Sequence, residues 1–393
     1  MEGSGPNVGR RELLQALGAA GVVGLAGCSG GGDGGDGGSD GADGSGGDGD
    51  GDGDGGGTDA GSTDGGDGDD GEQDTVRAAW AYLTQPGDQG WTREHDRAVQ
   101  AVDEKFDWLE VSRTNQVPNE DIGPVMRQYA EEGQDICFGS SFGYMDPMYE
   151  TATEYEDTLF EHCAGFRQRE NMGRYFAHMD QTYFLAGIAA GMVSETDTLG
   201  FLAPFPIAEV VRFINAFAIG ASFDNDDASV KLRWMNTWFD PPKAKQGAES
   251  LMDVDCDVIT GAMDSPATVE AAASGGAWSI GANSPMAEFG GDRYITSVVY
   301  NWEPFYTETL ESVRDGTWES DFYWGHIGDD AVRLDDWGPQ IPADVKDAVG
   351  AEKQALIDGD RTIWTGTQFE GESDSFLFEE MNTLVPQVES ELP

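Results

Sequence analysis

The sequence predicts an α/β protein whose parallel, doubly wound sheets are divided between two lobes. Three observations predict it. From residue 77 to residue 313, short apolar runs of strand length alternate with helical periodicities. Such alternation is the mark of parallel strands joined by crossover helices. The strands are too many for one compact sheet in a chain of 393 residues, a length that itself suggests more than one domain. The unit also repeats on both sides of one stretch, Leu199 to Ala221. There Leu199, Phe201 and Leu202 give a strand, Pro204 and Pro206 break it, and Ile207, Val210, Val211, Ile214 and Phe217 recur at helical spacing. Proline suits a first helical turn, so both prolines are expected there.

The elements follow in order. Arg77–Thr84 is the first strand, and Trp91 opens a helix to about Lys105. A second strand (Asp107–Ser112), a second helix (Ile122–Glu132) and a third strand (Asp135–Gly139) come next, then a loop, SSFGYMDPM. A fourth strand is expected at Arg174–His178 and a helix at Tyr183–Ser194. After the central unit, Val230, Leu232 and Trp234 alternate with Lys231 and Arg233, the pattern of a half-buried strand. A helix at Ala244–Met252, a strand at Asp257–Ala262, a helix at Ala267–Ser274 and a strand at Ala277–Gly281 continue the alternation. Tyr294–Val299 and Phe305–Val313 supply another strand and helix.

Two segments precede the fold. Arg10-Arg11 stand before an apolar, small-residue run from Leu13 to Ala26, too short to span a bilayer as a helix. This is the layout of a twin-arginine export signal over residues 1–28. Its end, Leu25-Ala26-Gly27-Cys28, resembles a lipobox that would make Cys28 the lipid-modified residue. Residues 29–74 hold 15 acidic residues, no Lys or Arg, and almost no apolar side chain, so they are expected to form a disordered, self-repelling tether.

Charge excludes some partners. Of 74 acidic and 22 basic residues, the tether holds 15 and none, and the first 28 residues two of each, which leaves a net charge near −37 on residues 75–393. A surface this acidic, with six lysines in the whole chain, argues against nucleic acid and anionic lipid. It suits a protein that works in high salt, where self-repulsion is screened. After Cys28 only Cys137, Cys163 and Cys256 remain, and Cys137 and Cys256 sit beside apolar strand residues, as small hydrophobes do. The four histidines show no zinc spacing, so no metal and no cofactor is expected.

No G-x-S-x-G elbow, P-loop or G-x-G-x-x-G after the first strand is present. The loops at strand ends instead carry aromatics and single polar groups: Asp88, Trp91 and His95; Phe142 and Tyr144; Phe205 and Glu209; Trp238; Asp264; Asn283; Asn301 and Trp302. In open α/β sheets such loops line the ligand crevice. Aromatic faces stack on flat rings, and carboxylates and amides meet ring nitrogens and hydroxyls. Asp264 ends a strand directly before Ser265-Pro266, where capping of the next helix is an alternative role.

Several segments resemble the basic membrane protein (BMP) lipoproteins, the purine- and nucleoside-binding receptors of ABC importers. They are GDQGWTREHD at 87–96, FGSSFGYMD at 138–146, YFLAGIAAGMVSETDTLGFLAPFPIAEVVRFINAFAIGA at 183–221, WFDPPKAKQGAESLMDVDCDVITGAMDSP at 238–266, IGANSPM at 280–286, ITSVVYNW at 295–302 and DGTW at 315–318. The resemblance covers nearly all of residues 75–393. It implies a type I periplasmic-binding-protein-like fold, with two Rossmann-like lobes, three crossing strands, a ligand in the cleft and no catalysis. It implies a monomer at the outer face of the cytoplasmic membrane, held by its lipid anchor and working with ABC permease subunits. It places an aromatic that stacks on the base at Trp91 and a carboxylate that holds the sugar or base edge at Asp264. Family members often carry Asp where Asn283 stands and Lys near Tyr300 and Asn301; both departures remove ribose-binding charge and leave a free purine base open. Lobe 1 is expected at 75–180 with a return segment at about 297–318, and lobe 2 at 181–296 with a C-terminal segment at about 319–393. A ligand sensor and a nucleoside-processing enzyme on the same scaffold are the competing readings.

Overall fold

The computed structural model describes residues 75–389. The export signal with Cys28 and the tether at 29–74 lie outside the described residues. The first elements are β1 (Val76–Ala81), α1 (Trp91–Lys105), β2 (Leu109–Thr114), α2 (Ile122–Glu131), β3 (Ile136–Gly139), α3 (Met145–Glu154), β4 (Leu159–Cys163) and β5 (Met172–Ala177). Next come α4 (Met179–Val193), β6 (Thr198–Ala203), α5 (Ala208–Ala221), β7 (Ser229–Trp234), α6 (Pro241–Met252), β8 (Val258–Gly261), α7 (Ala267–Gly275), β9 (Trp278–Asn283), α8 (Ala287–Gly290) and β10 (Tyr294–Tyr300). The chain continues through α9 (Glu303–Arg314), β11 (Phe322–Gly325), β12 (Val332–Leu334), α10 (Ala343–Ile357), α11 (Asp374–Glu379) and β13 (Val388–Glu389).

The strands form two sheets, in the orders β11-β5-β4-β3-β1-β2 and β12-β10-β9-β8-β6-β7-β13. Every described pairing between these strands is parallel except β10 with β12. Helices on both faces bury such sheets completely. That is why β3 (ICFG) and β8 (VITG) are buried at every position. The half-buried pattern expected for β7 is present, with Val230 and Leu232 buried and Arg233 exposed.

Three segments cross between the lobes: His178 between β5 and α4, Asn301-Trp302 between β10 and α9, and the stretch between β11 and β12. They are tied to one another by backbone. His178 N donates to Gly325 O (2.8 Å), and Asn301 N to Ala331 O (2.9 Å). Beside them Arg212 and Asp180 form a buried ion pair at 3.4 Å. Burial raises the Asp180 pKa, but Arg212 and His178 outweigh it and hold the carboxyl at about 2.

In the second lobe α4 and α5 pack backbone to backbone. A side chain on Gly187 or Gly191 would strike the α5 backbone at Phe217 O and Ala221 O, and one on Gly220 would strike Phe184 O of α4. α4 packs against β10 and β12, and α5 against β6, β7 and β13.

The structure corrects several expectations. Pro204 and Pro206 stand in the loop before α5, whose N-cap is the extended Ile207. The strand expected fourth is fifth, because β4 precedes it, and the SSFGYMDPM stretch is a 3-10 turn (Phe142–Tyr144) running into α3. β10 belongs to the second sheet, and β11 to the first. Of the expected return segment at about 297–318, residues 297–300 belong to β10 of the second sheet, α9 lies inside it, and β11 of the first sheet follows beyond it. All three remaining cysteines are free and buried.

Candidate functional site

The carboxyl ends of the strands of both sheets meet, and the residues between them are chiefly aromatic. Tyr300, at the end of β10, stacks on Trp302 (centroids 5.0 Å apart, 12° between planes). Trp302 stacks in turn on His95 of α1 (4.9 Å, 5°). Trp91 stands across this three-ring stack, edge to face with Tyr300 (5.1 Å, 87°), Trp302 (5.6 Å, 75°) and His95 (4.7 Å, 71°). Its indole N–H donates to Ser140 O at 2.7 Å, which fixes the ring plane. The stack continues from lobe to lobe through the Asn301-Trp302 crossing, so it bridges the two lobes. His95 shares a 2.7 Å hydrogen bond with the Tyr306 hydroxyl, and burial pushes its pKa down to about 3, so the ring is neutral.

Polar groups converge on Trp91 from the second lobe. Asp264 Oδ1 accepts from Trp91 N at 2.6 Å and from Asn283 Nδ2 at 3.2 Å. Burial raises the Asp264 pKa, and these two donors oppose the rise. Ser284 Oγ accepts from Gly90 N at 2.7 Å. Glu209, in the first turn of α5, is partly exposed, yet its apolar surroundings raise its pKa to about 7, with Arg212 opposing. Among the described residues no hydrogen bond reaches the Glu209 carboxylate or Asp264 Oδ2, so both retain acceptor capacity.

The site residues expected from sequence divide into groups. Trp91, Phe142, Trp238, Glu209, Asp264 and Asn283 are partly exposed at strand ends; Phe205 is buried and packs on Trp238 at 5.7 Å. His95 and Trp302 are fully buried and support Trp91 from beneath. Asn301 is spent on the crossing segment, where its amide donates to Asp330 at 3.1 Å. Asp88 is exposed, and among the described residues its carboxylate makes no hydrogen bond. Tyr144 is a correction: it is buried in the first lobe's core, and its hydroxyl donates to Val117 O at 2.6 Å. Asp264 does not cap α7, whose N-cap is Pro266; Ser265 Oγ accepts from Ala267 N at 3.2 Å, and Asp264 turns to α1 instead.

Sequence reasoning missed Gly90, Ser140, Ser284 and Phe176, which lies 6.2 Å from Trp91. One signal for Ser284 was available. Asn283-Ser284-Pro285 repeats the Asp264-Ser265-Pro266 pattern at the end of the neighbouring strand of the sheet.

Two hinged α/β lobes that meet at their strand ends around a partly exposed tryptophan define a solute-binding protein. Residues 76–360 match the family described as ABC transporter substrate-binding protein, PnrA-like, and the chain belongs to that family. A Haloferax volcanii protein, named provisionally as the glucose-binding protein of an ABC transporter, is 49% identical over 82% of each chain. A purine-binding protein of Brucella abortus is 33% identical over 75% of this chain and 84% of its own. In structure, an ABC transporter solute-binding protein from Conexibacter woesei superposes with a TM-score of 0.63 at 22% identity, covering 73% of this chain and 98% of the other. That likeness bears on the fold alone.

Proposed function

We propose that the chain is the lipid-anchored receptor of an ABC importer and that its cleft takes a purine base or nucleoside. One observation carries the ligand reading. The partly exposed Trp91 stands at Asp264, whose Oδ2, like the carboxylate of the partly exposed Glu209, accepts no hydrogen bond among the described residues. A planar ring that carries N–H donors suits both features at once. Stacking of a base on an aromatic contributes about 1–3 kcal/mol, and a hydrogen bond to a charged acceptor about 1.5–3 kcal/mol.

A hexose is the second reading, favoured by the name of the Haloferax relative, because sugar hydroxyls also donate to carboxylates. Calorimetry in molar salt with adenine, guanine, adenosine, guanosine and glucose decides between them. Wild type should bind a purine or its nucleoside, and Trp91→Ala and Glu209→Ala should each weaken it at least ~10-fold, about 1.4 kcal/mol. Binding of glucose with no purine binding would establish the second reading. No change in either variant would remove the site assignment.

Anchoring rests on Leu25-Ala26-Gly27 before Cys28 and on the acidic tether after it. Cys28→Ser should therefore release the protein from the outer face of the cytoplasmic membrane. A variant that still sediments with membranes would show that Cys28 is not the anchor.

A further inference from the structure

We propose that Asp264 and Ser284 are the N-terminal cap of α1, supplied across the cleft, so that closing the lobes and fixing Trp91 are one event that needs no solute. A helix leaves its first backbone N–H groups without intrahelical partners, and a nearby side-chain oxygen usually satisfies one of them. α1 has no such oxygen of its own. Its N-cap is Gly90, and no side chain of that turn caps it. The acceptors come from the other lobe: Asp264 Oδ1 on Trp91 N at 2.6 Å and Ser284 Oγ on Gly90 N at 2.7 Å.

Four further features belong to this contact. Gly90 has a φ of 101°, and a Cβ there would lie 2.8 Å from the Asp264 Cγ, so only glycine lets the carboxylate approach. Asn283 holds Asp264 Oδ1 from the side at 3.2 Å, and its own φ of 66° is a left-handed conformation that asparagine tolerates. Asp264 N donates to Trp238 O at 2.9 Å, which pins the loop that carries the carboxylate. The helix N-terminus carries partial positive charge, so a carboxylate is the favoured cap. Asp264 and Asn283 thus act as positioning residues for Trp91, in addition to any contact that Asp264 Oδ2 makes with a ligand.

Residue-resolved amide hydrogen exchange in molar salt, with no solute added, tests this independently of what the cleft binds. In wild type the Trp91 amide should be protected. Asp264→Ala and Gly90→Ala should each speed its exchange at least ~10-fold. Asp264→Asn should keep the protection, because an amide oxygen still accepts. Ser284→Ala should speed exchange at Gly90, which covers the case in which Asp264→Ala fails to fold. An unprotected Trp91 amide in wild type, or one that Asp264→Ala leaves unchanged, overturns the proposal. The purine reading would be untouched by that result, since it is settled by calorimetry.

Discussion

Gly220→Ala is expected to destabilise the protein by about 3 kcal/mol, whereas Gly350→Ala should stabilise it by about 0.5–1 kcal/mol. Both glycines lie inside helices, and intrinsic propensity favours alanine at each by about 1 kcal/mol. Their surroundings give them opposite signs. A Cβ on Gly350 meets nothing within 4 Å. A Cβ on Gly220 would overlap Phe184 O, with Phe184 C at 2.9 Å and Ile188 N at 3.1 Å. Those are backbone atoms of α4, so no rotamer change relieves the overlap and the helices must separate. Interiors are close-packed and cannot absorb such a shift locally. The separation would also loosen the contacts that Gly187 and Gly191 make with α5. Thermal unfolding is the measurement: a Tm lower by about 6–12 °C for Gly220→Ala and higher for Gly350→Ala. Equal shifts of one sign would mean that the helix pair is not packed this closely.

The same segment shows how far sequence reaches. The apolar stretch at 183–221 announces two helices around a strand, and the structure has α4, β6 and α5 there. Periodicity places α1 and α7 because nothing in them competes with the helical pattern. β4 escaped because LFEHC hides two polar side chains inside a sheet. Glu161 is buried with its Oε1 accepting from Trp318 Nε1 at 3.0 Å, and His162 is buried against Ser141 O. Partners that distant in sequence cannot be seen from the strand. α3 escaped because Pro147 suggests a loop, yet it occupies the first turn, where a missing N–H costs nothing. β13 is two residues long and exists only by pairing with β7.

The candidate site was legible in its aromatics and less so in its polar geometry. A tryptophan that opens a helix after a strand's loop is a visible feature, and Trp91 is at the centre of the ring cluster. Tyr144 carried the same local signal and is instead a core residue, because the 3-10 turn before α3 rotates it under the sheet onto Val117. Gly90 and Ser284 carry little chemistry of their own. Their importance comes from how closely two lobes approach, which depends on tertiary packing and not on local pattern.

Dilution of salt is expected to unfold the protein. Residues 75–393 carry a net charge near −37, from 57 acidic and 20 basic residues. Some acids are paired, as in Arg113 with Asp96 and Asp103, and Arg361 with Glu352. Arginine and lysine together can pair with barely a third of the carboxylates. At 1 M salt the Debye length is about 3 Å, so each remaining charge acts on its immediate neighbours only; at 0.01 M it is about 30 Å, comparable to a lobe. Two like charges 10 Å apart in water repel by about 0.4 kcal/mol. Applied once per excess charge, that repulsion already reaches about 15 kcal/mol, the upper end of ordinary domain stability of about 5–15 kcal/mol. The unfolded chain relieves the repulsion by expanding, so the balance tips towards it. Far-ultraviolet circular dichroism after dialysis from ~2 M to ~0.01 M salt should show loss of the helical signal. Sodium and potassium chloride should restore it alike, because screening does not distinguish them. A spectrum that stays native in dilute buffer would mean that the carboxylates are compensated in some other way and that the acidic surface does not depend on salt.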